Sequence, residues 1–180
     1  MTDTSDLSAL SQEAREKYER QRQEYAALCA LDIPGHRRDA YLEKFMCDFD
    51  RLCGMPCFPV VAVNLAGNQL ILGTRIAKLR RYDEGPLREI GEFIICISKR
   101  PSGFTFQNVT RQINGFHHPH IQISGTMCIG EKAELNAKIT DGDLADVASR
   151  LWIALNTSNG SAYSNPDDWP LAADQTENQR

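Results

Sequence analysis

Cys128 is the residue in this chain best placed by its neighbours for covalent chemistry. Three of the four histidines, His117, His118 and His120, fall within four positions, and Cys128 follows His120 by eight (128 − 120). Gly125 lies between them and Gly130 follows the cysteine. A thiolate is a strong nucleophile and a good leaving group, which suits acyl transfer. An unperturbed thiol has a pKa of about 8.5, so only a small fraction is thiolate near neutrality. His118 and His120 are the nearby groups able to assist its ionisation. The bland reading of Cys128 is a buried structural thiol, since cysteine is among the most buried residue types. The same four side chains are also competent zinc ligands, and Cys47, Cys53 and Cys57 add sulfur upstream. No Cys-x-x-Cys pair supports that reading, and adjacent histidines seldom reach one ion.

The elements that must position this loop can be read from periodicity. Residues 6–31 predict a helix, with Leu7, Leu10, Ala14, Tyr18, Tyr25 and Leu28 on one stripe and Ser5, Asp6, Ser8 and Ser11 as capping candidates. Pro34-Gly35 breaks it, and a second helix over 37–52 puts Tyr41, Phe45, Phe49 and Leu52 on one face. Strands are expected at 59–65 and 69–79 around a Gly67-Asn68 turn, then at 88–98 and 104–109, separated by turns at 83–86 and 101–103. Four strands joined by short turns imply an antiparallel meander. Residues 113–131 are neither helical nor alternating, and a long irregular loop inside a compact domain is more often functional than idle. A helix over 144–157 follows, with Leu144, Val147, Ala148, Leu151, Trp152 and Leu155 on one face and Asp141 or Asp143 as its cap. The order predicts an α+β fold: N-terminal helices, a four-stranded antiparallel meander, an active-site loop and a C-terminal helix.

The bulk numbers fit that plan. The 180 residues suit one domain with trimmings, and 42% hydrophobic with 24% charged residues is an ordinary globular mix. A net charge of −4 argues against nucleic acid as the main partner, although Lys78, Arg80 and Arg81 are close together. The first residues are polar, without an apolar leader core, and no apolar run approaches about 20 residues, so a cytoplasmic protein with no membrane partner is expected. There thiols stay reduced, and the six cysteines are not read as disulfides. Cys29, Cys47, Cys53, Cys57 and Cys96 are read as structural, Cys96 in the core strand and Cys53 and Cys57 as exposed. Trp152 is expected in the core and Trp169 as a lid over one end.

In its loop the chain resembles the ubiquitin-conjugating enzyme family. The family carries His-Pro-Asn after its fourth strand, then a flap containing Gly, and the reactive cysteine eight residues beyond the Asn. His118-Pro119-His120, Ile121, Gly125 and Cys128 fall on that pattern in register. The resemblance covers about residues 37–165, and the Asn-Pro-Asp-Asp stretch at 165–168 also looks like a segment of the family. His-Pro-His in place of His-Pro-Asn is a feature of bacterial and phage-encoded relatives. The Tyr-Pro and Pro-Pro pairs usual before the loop are missing, one helix rather than several is legible after the cysteine, and the first helix is an addition.

The resemblance implies a carrier that takes a ubiquitin-like modifier as a thioester on Cys128 and passes it to an amine or other acceptor. Cys128 is then the nucleophile. His120 stands where the family's Asn donates toward the oxyanion, and a histidine can donate one N–H in that role, or both when protonated. His118 and Pro119 shape the loop with Gly125 and Gly130. His117 has no role in the family and is read as a packing or surface residue. Glu131, Asp141 and Asp143 are candidates to assist the incoming amine. The implied partners are the modifier, an activating enzyme and a target protein. No cofactor or metal is implied, because ATP is consumed upstream. The implied division is a helical extension at 1–35, a ubiquitin-conjugating-like domain at 36–170 and a disordered tail at 171–180. Three alternatives stay open: an interaction module without catalysis, a small zinc-binding protein using the His/Cys loop, and a His-Cys hydrolase.

Overall fold

A computed structural model describes residues 4–80, 85–99, 101–127, 129–157 and 162–173, with side chains from Gln12 onward. Helices α1 (Thr4–Cys29) and α2 (Gly35–Cys53) come first. Strands β1 (Val60–Asn64), β2 (Gln69–Gly73), β3 (Ala77–Arg80), β4 (Leu87–Gly91), β5 (Phe93–Lys99) and β6 (Ser102–Asn108) follow. Then come α3 (Lys132–Asp141), α4 (Leu144–Asn156) and a 3-10 turn at Pro166–Asp168. The fold is α+β. A four-stranded antiparallel sheet has the order β1-β2-β5-β6, and β3 and β4 form a separate two-stranded sheet.

The expected meander is therefore present with one correction. The second and third expected strands each break in two. Up to Gly73↔Ile94 the pairing belongs to the large sheet, and from Ala77↔Gly91 it belongs to the small one. The break has a local cause. Gly91 has φ +126, a conformation open to glycine, and a Cβ there would meet Asn108 Oδ1 at 2.9 Å. Thr74 supports the bend from the other side: its Oγ1 accepts from Phe93 N–H at 2.9 Å and donates to Arg75 O at 2.7 Å.

Alternation sorts the large sheet into two faces. Leu70, Leu72, Ile95, Ile97, Phe104 and Phe106 point into the core, where α2, α3 and α4 lie. Cys96 points the other way and is half-buried, so it is not the core cysteine expected from its apolar strand. Tyr41, Phe45, Phe49 and Leu52 of α2 are buried as their spacing predicts. The C-terminal half of α1 docks on them, with Tyr25 against Phe45 at 5.8 Å and Tyr18 against Phe49 at 6.2 Å between ring centroids. Ala14, expected on the same stripe, is exposed, and the side chains of Leu7, Leu10 and the capping serines lie outside the described residues.

Two helices follow the loop where one was expected. α3 escaped notice because only Leu135 and Ile139 are buried along it, too few to make a stripe. It ends at Gly142 in the left-handed region, φ +79. α4 is not capped by the side chain of Asp143, which pairs with Lys44 instead. Its Ala145 N–H is taken by Asp48 of α2 at 2.7 Å, a cap supplied from another helix. Trp152 is only partly buried, edge-on to Phe58 at 6.3 Å.

The chain does not leave the fold after Pro170. Glu89 N–H donates to Pro170 O and Ala172 N–H to Leu87 O, so residues 170–172 run along β4 as an added rail. Arg88 holds Asp167 at 3.1 Å and the Trp169 carbonyl at 2.9 Å, and Trp169 is buried beneath them. The disorder expected from 171 therefore does not begin there; residues 174–180 lie outside those described. Among the described residues no helix is long and apolar enough to cross a membrane, and no disulfide is formed.

Candidate functional site

The candidate site starts at the end of β6. Strand alternation turns Asn108 inward, in phase with Phe104 and Phe106, and a buried amide must find partners. The side-chain amide of Asn108 is fully used. Nδ2 donates to Ile90 O at 2.9 Å and to His117 O at 3.0 Å, and Oδ1 accepts from Thr110 N–H and Arg111 N–H at 3.0 and 2.9 Å. Its own N–H donates to His117 Nδ1 at 3.0 Å. Asn108 thus fixes both ends of the first part of the loop. His117 is half-buried and its Nδ1 is occupied.

His118 is fully buried. Its Nδ1 accepts from the His120 N–H at 3.0 Å, which leaves Nε2 to carry the hydrogen and donate to Leu155 O of α4 at 3.1 Å. The first bond closes the His-Pro-His turn and the second ties it to the end of α4. Burial, joined by the neighbouring His120, pushes the His118 pKa down to about 3 from 6.5, against the pull of the Leu155 carbonyl. The ring is neutral throughout the physiological range and both nitrogens are used. His118 cannot ligate zinc without breaking this frame, which removes one ligand from the zinc reading. Pro119, also buried, offers its carbonyl to Tyr163 N–H at 2.7 Å and Ser164 N–H at 3.3 Å, so the C-terminal segment crosses over the motif.

The flap that follows is pinned by main-chain bonds. Ile121 N–H donates to His118 O, Gln122 N–H to Thr126 O and Gly125 N–H to Gln122 O. Gly125 then lies directly on β6, where its carbonyl accepts from Phe106 N–H at 3.0 Å. Its φ is +80, and a Cβ would stand 2.6 Å from Phe106 O. Both the backbone conformation and the close approach require glycine. Gly130 is different: a Cβ there would meet nothing within 4 Å.

Beyond the flap a cleft of about 540 Å³ opens between this loop, α3 and α4. His120 and Met127 lie at one side, Ile129 and Gly130 along it, and Leu135, Ile153, Ala154 and Thr157 complete it. His120 is almost wholly buried, with its ring 5.8 Å from that of His118 between centroids. Cys128 lies outside the described residues, but its two chain neighbours, Met127 and Ile129, both line this cleft. The rim carries charge: Arg150 lies 2.8 Å from Glu131, 3.1 Å from Glu134 and 3.2 Å from Asp146. Of the three carboxylates picked from sequence, only Glu131 lines the cleft. Asp143 pairs with Lys44, and the Asp141 carbonyl accepts from the same lysine at 3.3 Å.

Sequence reading missed two residues here, Asn108 and Arg150. An asparagine in phase with inward phenylalanines was the available signal for the first. The only sequence signal for Arg150 is Asp146 four residues earlier on the same helix; its other partners, Glu131 and Glu134, lie at the start of a helix that was itself not legible. No family model matches the chain, and neither a curated protein nor a solved structure matches it.

Proposed function

We propose that this protein is a cytoplasmic carrier enzyme of the ubiquitin-conjugating type, accepting a ubiquitin-like modifier as a thioester on Cys128. The observation that supports it best is the built loop: His118-Pro119-His120 is locked by buried hydrogen bonds beside a cleft lined by both chain neighbours of Cys128. A loop held this firmly serves to present something, because a merely connecting segment needs no such frame. On this reading the four-stranded sheet with helices on one face is a variant of the ubiquitin-conjugating fold, with α1 and the β3–β4 hairpin as additions.

The chemistry then follows from the residues. The Cys128 thiolate attacks the acyl carbon of the modifier's thioester on an activating enzyme. The new carbon–sulfur bond forms as the old one breaks, and the proton of the Cys128 thiol ends on the departing thiol. An amine of a target protein later attacks the Cys128 thioester: the carbon–nitrogen bond forms as the carbon–sulfur bond breaks, and an amine proton ends on the released Cys128 thiolate. His120 donates to the oxyanion that forms in each step. His118 acts through His120, as a positioning residue fixed in its neutral tautomer.

The test is trapping. Wild type, Cys128→Ser and Cys128→Lys are incubated with ATP, a candidate modifier and its activating enzyme, and read by intact mass with and without reductant. A thiol-sensitive adduct on wild type that becomes thiol-resistant in the variants is the expected result. Failure of wild type to charge with activating enzymes that do load their own modifiers would remove the carrier reading.

A further inference from the structure

His117 takes no part in the proposed chemistry, yet Asn108 holds it at two points. Its Nδ1 accepts from Asn108 N–H and its carbonyl from Asn108 Nδ2, both at 3.0 Å. With Nδ1 accepting, the neutral ring carries its hydrogen on Nε2, and none of the described residues accepts it. This ring lines another cavity, of about 400 Å³, on the face of the large sheet away from the helices. That volume lies within the range of small-ligand sites, about 300–1,000 Å³. The floor is two cross-strand pairs, Ile94 with Gln107 and Cys96 with Thr105. Gln112 of the loop and Ser124 and Gly125 of the flap complete it with His117. No Asp, Glu, Lys or Arg is among the described residues that line it. Arg111, beside Gln112 in the chain, is taken up by Glu89 at 2.8 Å. Cys96 stays a neutral thiol, because burial pushes its pKa up against a hydrogen bond with Thr105 that pulls it down. A charged ligand would find no counter-charge here. What the lining offers instead is neutral hydrogen bonding. The carboxamides of Gln107 and Gln112 each bring two N–H and a carbonyl, with no partner among the described residues.

We infer that this cavity binds a small, planar, uncharged ligand with an amide edge, a carbonyl beside an N–H. A glutamine carboxamide answers such an edge in kind, donating to the carbonyl while accepting from the N–H. The two-point contact of glutamine with an adenine edge uses the same geometry. The ligand's ring lies on Ile94 and Cys96, its amide edge meets Gln107 or Gln112, and His117 Nε2–H donates to a further acceptor. His117 is the fixed donor, and the exposed glutamines turn to fit. Free carboxamides and the lactam edge of a pyrimidine base share this chemistry. A base within a nucleic acid does not suit the site, because it brings phosphates and the lining holds no cation. The inference is independent of the carrier reading, since no reacting group of the proposed transfer lines this cavity.

Nicotinamide and nicotinate make the test, since they match in shape and differ in charge, and uracil stands for the lactam edge. Each is titrated into the isotope-labelled full chain and followed by proton–nitrogen correlation NMR, which reads the glutamine side-chain amides directly. Nicotinamide or uracil is expected to give saturable shifts at Gln107, Gln112, His117 and Gly125. The Kd should be about 1 mM, the scale of a ligand of about nine heavy atoms. The tighter of the two identifies the source of the amide edge. Nicotinate should bind at least about three times more weakly than nicotinamide. Gln107→Ala/Gln112→Ala changes two exposed side chains, so the spectrum should stay that of the folded protein while the ligand shifts at His117 and Gly125 are lost. No saturable shift from either neutral ligand, or shifts centred on another part of the molecule, would overturn the inference. So would nicotinate binding as tightly as nicotinamide, or undiminished binding in the double variant.

Discussion

The two sides of the candidate site are built by different means. On the side ahead of the cysteine, residues 108–127 are held by buried, directional bonds: Asn108 with its amide fully used, His118 between Leu155 and His120, and Gly125 laid on Phe106. On the side after it, residues 129–154 form an open wall of aliphatic side chains with ion pairs at the surface. Directional bonds in the dry interior tolerate no change of partner, whereas packing against an open cleft and exposed ion pairs tolerate many. The first side is a frame and the second a surface free to vary with what it meets. Equivalent substitutions on the two sides should therefore give unequal results.

The two glycines that flank Cys128 make the sharpest comparison. Gly125→Ala forces a side chain into the left-handed region and against Phe106 O, and should cost about 3 kcal/mol in urea unfolding. Gly130→Ala meets nothing within 4 Å and should stay within about 0.5 kcal/mol. Similar losses at both would break the distinction between frame and wall.

Next in size is Asn108→Asp. The shape is kept, but two donors become acceptors facing the carbonyls of Ile90 and His117. Two buried acceptors lose their partners and a charge is buried, so about 2–3 kcal/mol should go at neutral pH. Part of it should return as the pH is lowered and the aspartate protonates, a recovery that a mere loss of packing would not give.

His118 gives a pH dependence whose sign is fixed by its depressed pKa. Above pH 6.5 the ring is neutral both folded and unfolded, and its contribution is whole. As the pH falls below 6.5 the unfolded chain takes a proton that the folded one refuses until about 3, so stability is lost with falling pH. The slope is about 1.4 kcal/mol per pH unit, or about 2 kcal/mol between pH 7 and pH 5. His118→Gln should be less stable at pH 7 and lack that slope, as measured by unfolding at a series of pH values. An equal slope in both proteins would show that the ring is not held neutral by its surroundings.

The frame and the wall were also unequally legible in the sequence. The frame announces itself in residue types that have few other uses: His-Pro-His, a glycine at a fixed distance, and a cysteine beyond. Its keystone, Asn108, was hidden because a strand pattern reports which way a side chain points but not what it will bond there. The bend that Gly91 puts into the sheet was hidden for the same reason, since a glycine in a strand does not declare its φ. α1 and α2 were legible because aromatic residues recur on one face. α3 was not, because two buried residues in ten give no period, and so the cleft it walls could not be foreseen.

Arg150→Ala carries the smallest expected effect on stability and the most information about the wall. The arginine joins α4 to Glu131 and Glu134, but its side chain is 35% exposed and its partners more so. Exposed pairs of this kind contribute little, so unfolding should change by less than about 1 kcal/mol. The local charge changes more than the stability does. Removing the cation leaves Glu131, Glu134 and Asp146 facing Lys138 alone, and the rim becomes more acidic than in wild type. Arg150→Ala should thus barely move the urea midpoint. A large loss of stability instead would mean that Arg150 belongs to the frame, and that the boundary between the two sides runs through α4 rather than at Cys128.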